Sequence, residues 1–185
     1  MNDIRIEGGD DLRAVAFKVC TALDRAGAKV VPTGGSAATV YEPQVYQSQD
    51  VDFIAYMVKS AANFRQAVFD LGFEESGRVF SHPSVPVTLD FPDEDIRIGR
   101  ELVDRYSTLR EGDFTLHILT PTDCVRDRLA SFFWFHDRSA LAAACGVAKA
   151  RFDEVDFAEI EAWAKREGEG ERHGEFLDRL SRFEA

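Results

Sequence analysis

Two glycines and a serine, followed a short way along the chain by two aspartates, are the residues whose types and spacing best suit chemistry. Gly34, Gly35 and Ser36 come directly after an apolar segment that predicts a β-strand over residues 29–33. Glycine adopts backbone angles that let N–H groups approach a phosphate closely. We expect Ser36 to cap a helix that begins here. The unpaired N–H groups and partial positive charge of a helix N-terminus could hold a polyphosphate without any lysine.

The two aspartates lie on a segment whose pattern predicts a second strand. Residues 50–57 alternate so that Asp50 and Asp52 point to the same side. Residues 85–91 repeat this alternation, with Asp90 on the face opposite to the apolar side chains. If the two strands are neighbours in a sheet, the three carboxylates lie close together.

Three converging carboxylates need either full solvation or a cation. Two carboxylates about 6 Å apart repel each other by roughly 3 kcal/mol at an effective dielectric constant near 20. Hard oxygen ligands with room for phosphate oxygens suit Mg²⁺. The sequence therefore predicts a Mg²⁺ site, with Mn²⁺ as a substitute, at Asp50, Asp52 and Asp90.

In this order along the chain, these residues resemble a known signature. Gly35-Ser36, then Asp50-x-Asp52, then a single aspartate on a later strand, is similar to the pattern of the polymerase-β-like nucleotidyltransferase superfamily, over roughly residues 28–91. The resemblance implies an α/β (α+β) fold. A small mixed sheet would be flanked by helices and followed by a C-terminal helical subdomain.

The same resemblance implies an activity, the transfer of a nucleoside monophosphate from a nucleoside triphosphate such as ATP to an acceptor hydroxyl. The glycines and Ser36 would contact the triphosphate. Asp50 and Asp52 would bind the metal, and Asp90 would complete the site and help to deprotonate the acceptor.

A second resemblance lies further along the chain. Residues 119–129, together with Asp137-Arg138, resemble the helical half of small stand-alone bacterial nucleotidyltransferases, including abortive-infection-type toxins of toxin–antitoxin systems. Those relatives often carry a lysine at the position of Arg128. Arg126 and Arg128 are two residues apart on a predicted helix and therefore face apart. We expect Arg128 to reach the triphosphate while Arg126 forms a salt bridge.

Each of these motifs also has an ordinary structural interpretation. A Gly-Gly-Ser sequence is most often a turn before a helix, and Asp-x-Asp on a strand is usually a solvated face. The main alternative function is a catalytically silent protein of this fold that acts by interaction, with the aromatic run 132–135 as its partner surface. A helix packed on both sides explains that run more simply. A metal-dependent phosphohydrolase fits less well, because no His-Asp ligand set accompanies the acids.

Composition limits the partners and the location. The net charge of −11 argues against bulk nucleic-acid binding. A nucleoside triphosphate and a small molecule, an RNA end or a partner protein as acceptor fit the composition better. The three cysteines show no metal-binding or disulfide spacing. Neither a signal-like N-terminus nor a long apolar run occurs, so we expect a cytoplasmic protein that does not enter the membrane.

The chain of 185 residues is long enough for one core with an attached helical subdomain. We expect a nucleotidyltransferase core over residues 1–119 and a helical subdomain over residues 120–185. Thr120-Pro121 is a strong helix start, with threonine as cap and proline at the first position. The predicted helices cover residues 10–27, 60–71, 121–135, 139–151, 156–167 and 174–183. We also expect a further strand over residues 114–119, an edge hairpin over residues 73–80 and a linker over residues 168–174.

Overall fold

The computed structural model describes residues 4–92 and 95–183, and it places one mixed β-sheet beside a group of helices. The strands of the five-stranded sheet follow the order β1-β2-β5-β4-β3. These strands are β1 (Ala28–Pro32), β2 (Asp50–Val58), β3 (Glu74–Ser76), β4 (Val79–His82) and β5 (Val85–Asp90). Strands β2 and β5 run parallel, whereas the other neighbouring pairs are antiparallel. The predicted α+β fold with a small mixed sheet is confirmed.

Two short antiparallel pairs lie outside this sheet. They are β6 (Arg97–Ile98) with β7 (Glu101–Leu102), and β8 (Ser107–Glu111) with β9 (Phe114–Ile118). Only β9 was predicted. The partner strand β8 alternates exposed and half-buried residues and so lacks a run of apolar side chains. Strand β9 supplies the buried face of the hairpin, which packs on the first helix.

Seven α-helices accompany the strands in the described residues. They are α1 (Leu12–Arg25), α2 (Gly34–Tyr41), α3 (Ala61–Asp70), α4 (Pro121–Phe135), α5 (Arg138–Ala150), α6 (Phe157–Glu167) and α7 (Gly170–Ser181), with a short 3-10 helix at Phe152–Glu154. None of these helices is long and apolar enough to cross a membrane.

One part of the core lies between α1 and the sheet, and the rest continues among the C-terminal helices. Helix α1 is amphipathic and buries Val15, Phe17 and Leu23 against the strands. From the sheet side, Val51 and Phe53 of β2 are completely buried. The strict alternation of β2 ends there, because the next residue, Ile54, is buried as well. The register of the β1–β2 pair shifts further along, between Lys29 and Val30. Burial of the apolar face is what turns the carboxylates on the other face of β2 outward.

The helical half follows the predicted start. The Thr120 hydroxyl accepts a hydrogen bond from the N–H of Asp123, with proline in the first turn. Within the aromatic run, Phe133 is buried and stacks on Trp163, whereas Phe135 is 80% exposed. The expectation of a helix packed on both sides therefore fails at the end of α4. The predicted 168–174 linker is also wrong, because α7 begins at Gly170 and only Gly168 and Glu169 separate it from α6.

An ion-pair network ties α4 to the neighbouring elements. Asp123, fully buried on α4, accepts hydrogen bonds from Arg105 (2.6 and 2.9 Å) and Arg126 (2.9 Å). Arg126 also pairs with Glu101 of β7 and Glu159 of α6. These contacts join the segment after the main sheet to the helices. The proposed boundary between residues 119 and 120 remains a prediction.

Two buried histidines should make the fold sensitive to acid. Burial lowers the pKa of His117 and of His173, and the nearby Lys29 lowers that of His117 further. Their native pKa values thus lie below the unfolded value of about 6.5. Above the unfolded pKa, such a histidine is neutral in both states and does not change the free energy of unfolding. Below that pKa the unfolded state binds the proton first, so the free energy of unfolding decreases as the pH falls. We expect the free energy of unfolding, measured with urea, to fall between about pH 7.5 and about pH 5.5.

His173→Phe supplies the comparison for that experiment. The buried Nε2 of His173 has no hydrogen-bond partner in the described residues, and its ring lies against Phe176. A phenyl ring can occupy the same space without titrating. The variant should therefore show a weaker dependence of stability on pH than the wild type. Equal slopes in the two proteins would contradict the assignment of this acid sensitivity to His173.

Candidate functional site

The two glycines form the start of the first turn of α2, which follows β1 after the single residue Thr33. Thr33 is the N-cap residue, and its side chain makes no capping hydrogen bond. Its N–H donates to the Asp52 carbonyl (3.0 Å), which fixes the turn against β2. Gly34 has a φ of 64°, a value that favours glycine. The start of α2 thus presents backbone N–H groups close to β2, the strand that carries Asp50 and Asp52.

The prediction that Ser36 caps the helix is wrong. The helix begins two residues earlier, at Gly34, so Ser36 lies inside the first turn and is buried. Its hydroxyl donates a hydrogen bond to the Thr33 carbonyl (2.7 Å) rather than accepting one from a backbone N–H. Only the backbone of Ser36 is therefore well placed to contact a ligand at the helix end.

The structure brings the acidic residues together as the strand pattern indicated. Asp52 of β2 lies directly opposite Asp90 of β5 in the parallel pair, so their side chains share a face. Asp50 lies two residues earlier on the same face and is exposed, whereas Asp52 and Asp90 are half-buried. Burial raises the pKa of Asp52, and the negative charges of Asp50 and Asp90 raise it further. Negative charge thus accumulates where it is not fully solvated.

A divalent cation would relieve this repulsion, and the oxygen donors present suit Mg²⁺. In residues 4–92 and 95–183, however, no three His, Cys, Asp or Glu side chains lie close enough together to hold a metal ion as they stand. Asp50 Oδ1 accepts a hydrogen bond from the Ser48 hydroxyl (2.6 Å), and Asp90 Oδ1 accepts one from the Phe91 N–H (2.8 Å). A shared cation would require these carboxylates to turn.

Arg128 of α4 approaches the same turn from the helical half. Its Nη2 lies 3.3 Å from the position that a Cβ on Gly34 would take, and Asp52 Oδ2 lies 3.8 Å from that position. Arg128 also donates to the carboxylate of Asp127 (3.0 and 2.8 Å). Arg126 faces away into the ion-pair network. The two arginines thus diverge as predicted, and Arg128 is the one beside the glycines.

Three residues near the site were not predicted: Tyr46, Ser48 and Asp127. The Tyr46 ring lies over Gly35, Ser48 contacts Asp50, and Asp127 pairs with Arg128. Tyr46 and Ser48 belong to an irregular loop without a periodic pattern, so only their contacts in space reveal them. Asp127 was detectable, because an acid between two arginines is a ready partner for one of them.

A cleft of about 480 Å³ opens beside the turn, and it has both apolar and charged walls. Thr33, the residue before Gly34, and Asp127, the partner of Arg128, border it on the side of the acids. Its other lining residues are Ile54, Asp95, Ile96 and Arg97. The cleft therefore adjoins the place where a phosphate would meet the helix end.

No protein-family model matches this sequence, and a search of curated proteins found no significant match. Among solved structures, the chain is similar to an antigenic nucleotidyltransferase-like protein from Paracoccidioides brasiliensis. The two share 16% sequence identity with a TM-score of 0.56, over 78% of this chain and 77% of the other. This likeness shows that the chain has a nucleotidyltransferase-like fold. The closer resemblance to small abortive-infection-type bacterial proteins remains a prediction.

Proposed function

We propose that this protein is a metal-dependent nucleotidyltransferase that moves a nucleoside monophosphate from a nucleoside triphosphate to an acceptor hydroxyl. The observation that carries the proposal is the pairing of Asp52 with Asp90 on adjacent parallel strands, directly beside a glycine turn that opens a helix. A nucleotidyltransferase-like fold supports it. The acids and the turn come from separate elements that the fold brings together.

Each residue of the site has a part in the proposed reaction. The first N–H groups of α2 and the Arg128 guanidinium would bind the triphosphate. Asp50 and Asp52, with Asp90, would hold Mg²⁺, which when bound neutralises phosphate charge and favours departure of pyrophosphate. The acceptor oxygen attacks the α-phosphorus, the bond to the pyrophosphate oxygen breaks, and Asp90 takes the acceptor proton.

The acceptor is limited by charge. A net charge of −11 disfavours binding along a nucleic-acid strand, which relies on several contacts from Lys or Arg to phosphates. We propose a small molecule, a partner protein or the end of an RNA as the acceptor, and membership of a toxin–antitoxin pair as one setting for such a reaction.

Isothermal titration with the four ribonucleoside triphosphates, with and without Mg²⁺, tests the proposal. The wild type should bind at least one of them only when Mg²⁺ is present. Asp50→Asn/Asp52→Asn should lose this binding, while Asp113→Asn, which changes an exposed carboxylate in the β8–β9 turn, should keep it. Absence of binding to every triphosphate by the wild type would overturn the proposal.

That outcome would favour a second candidate, a silent protein of this fold that acts through a partner. The supporting observation is the exposure of two aromatic side chains at the end of α4, Trp134 (38%) and Phe135 (80%). Phe135→Ser would then abolish, in a pull-down, the complex between this protein and the partner that binds the end of α4. In the catalytic proposal, the same variant retains triphosphate binding.

A further inference from the structure

The loop that joins α2 to β2 lies across the glycine turn. Its residue Tyr46 is packed against Gly35, with ring atom Cε1 2.8 Å and the hydroxyl oxygen 2.9 Å from the position that a Cβ on Gly35 would take. Gly35 does not have a positive φ. The backbone there would accept any residue, so a larger residue at position 35 would instead have to displace the Tyr46 ring. The loop, residues 42–49, is called the clamp loop below.

The clamp loop is attached to the site at two further places. The Ser48 N–H donates to the Thr39 hydroxyl (2.9 Å), which in turn donates to the Gly35 carbonyl (2.9 Å). The Ser48 hydroxyl donates to Asp50 (2.6 Å). One short segment therefore contacts both the candidate phosphate site and the first candidate metal ligand.

A notch in α5 holds the other side of the clamp loop. Gly146, in the middle of α5, has Val45 against it, and a Cβ at position 146 would lie 3.0 to 3.2 Å from the Val45 side-chain carbons. Valine is stiff at χ1, so the contact leaves the loop little freedom. Helix α5 thus sets the position of Tyr46, the next residue.

We infer that the Tyr46 hydroxyl donates a hydrogen bond to the triphosphate at the start of α2. Gly34 has the Arg128 guanidinium next to it, and Gly35 has the Tyr46 phenol. A phosphate on the N–H groups between them would be within reach of both donors. This inference rests on the proposed function, because it names a further binding residue of the same site.

The decisive variant is Tyr46→Phe, which keeps the ring against Gly35 and removes only the hydroxyl. A hydrogen bond to a charged group contributes about 1.5–3 kcal/mol, so the dissociation constant should rise by about 10- to 100-fold. The probes are inorganic tripolyphosphate and the triphosphate bound best by the wild type, both with Mg²⁺. Both should lose affinity, whereas the melting temperature should stay within about 1 °C of the wild-type value.

Tyr106→Phe is the matched control, because the Tyr106 hydroxyl accepts a hydrogen bond from Lys29 away from the glycines. It should leave the affinity for both probes unchanged. If Tyr46→Phe binds both probes as tightly as the wild type, Tyr46 only fills space and the inference is wrong, although the proposed function stands. If the wild type binds neither probe, the proposed function itself fails.

A second variant tests the position of the clamp loop without touching the site. Gly146→Ala should favour the helix by itself, since alanine is the better helix former. The added methyl group must nevertheless displace Val45, and with it Tyr46. Because small displacements in a binding site are costly, we expect affinity for tripolyphosphate to fall about tenfold. Adding Val45→Ala should restore it, and unchanged affinity in Gly146→Ala would contradict this role of the loop.

Discussion

Asp52→Asn is expected to abolish nucleotidyl transfer and, at the same time, to make the metal-free protein more stable. Asp52 is half-buried, and its carboxylate lies beside those of Asp50 and Asp90. Asparagine has nearly the same shape without the charge. We expect the rate of transfer to fall by at least about 10²–10³-fold, the range for loss of one preorganised group that stabilises charge. The melting temperature should rise by about 2–4 °C.

The direction of the stability change follows from the pKa of Asp52. Burial raises this pKa above its ordinary value, and the charges of Asp50 and Asp90 add to the effect. An acid whose native pKa is raised destabilises the fold at any pH where it is ionised in the native state. The penalty disappears as the pH falls to the unfolded value of about 3.9. The variant should therefore gain most near neutral pH and nothing in strong acid.

Differential scanning calorimetry with chelator, followed by the same scan with Mg²⁺, measures this gain. The wild type should recover stability with Mg²⁺, because a bound cation offsets the repulsion, and Asp52→Asn should respond much less. Asp113→Asn, at an exposed position, should behave like the wild type in both scans. A variant that is inactive and also less stable than the wild type would show that Asp52 is structurally required instead.

The positions of the aspartates in the candidate site can largely be predicted from the sequence. A strand has a period of two, so the spacing of Asp50 and Asp52 alone places them on one face, and the structure agrees. The pairing of β2 with β5 is harder to predict from the sequence. The β3–β4 hairpin lies between these strands along the chain, and which strands become neighbours then depends on the packing of the whole sheet. From the strand pattern, the approach of Asp90 could be stated only on the condition that the two strands are neighbours, and the structure meets that condition.

The geometry around the two glycines could be predicted from the sequence only in part. Glycine was read as a sign of unusual backbone angles, and Gly34, with its φ of 64°, fits. At Gly35 the reason is different, because Tyr46, from the loop between α2 and β2, occupies the space that a side chain at position 35 would take. No local pattern reports a contact of this kind. The assignment of Ser36 as the cap failed likewise, since the helix start depends on how Thr33 is held by Asp52.

Arg126→Met is expected to cause the largest loss of stability among the changes considered. Arg126 is only 3% exposed, and it contacts Asp123, Glu101 and Glu159. Burial by itself would raise the pKa of Asp123, but hydrogen bonds from Arg105 and Thr120 bring it below the ordinary value. Asp123 is therefore ionised in the fold and needs cations nearby. Removing one partner of a buried ion pair costs about 3–5 kcal/mol.

Methionine keeps the unbranched stem of the side chain as far as the position of Nε, and this stem can still pack beside the Trp163 ring that the guanidinium now covers. The loss in Arg126→Met is thus due mainly to the missing charge, with a smaller part from the space that the guanidinium leaves. A change of this size corresponds to a fall in melting temperature of about 6–20 °C for a chain of this length. Urea unfolding near neutral pH gives the same quantity as a free energy.

Lys165→Met is the control for that measurement. Lys165 pairs with Glu161 one helical turn away, and both side chains are largely exposed. Such pairs contribute about 0.3–0.5 kcal/mol, so this variant should be nearly as stable as the wild type. Arg126→Met should also retain triphosphate affinity at low temperature, because Arg126 faces away from the glycine turn that Arg128 approaches. A loss below about 1 kcal/mol would mean that Arg105 alone neutralises Asp123, and that the helices are held mainly by their apolar faces.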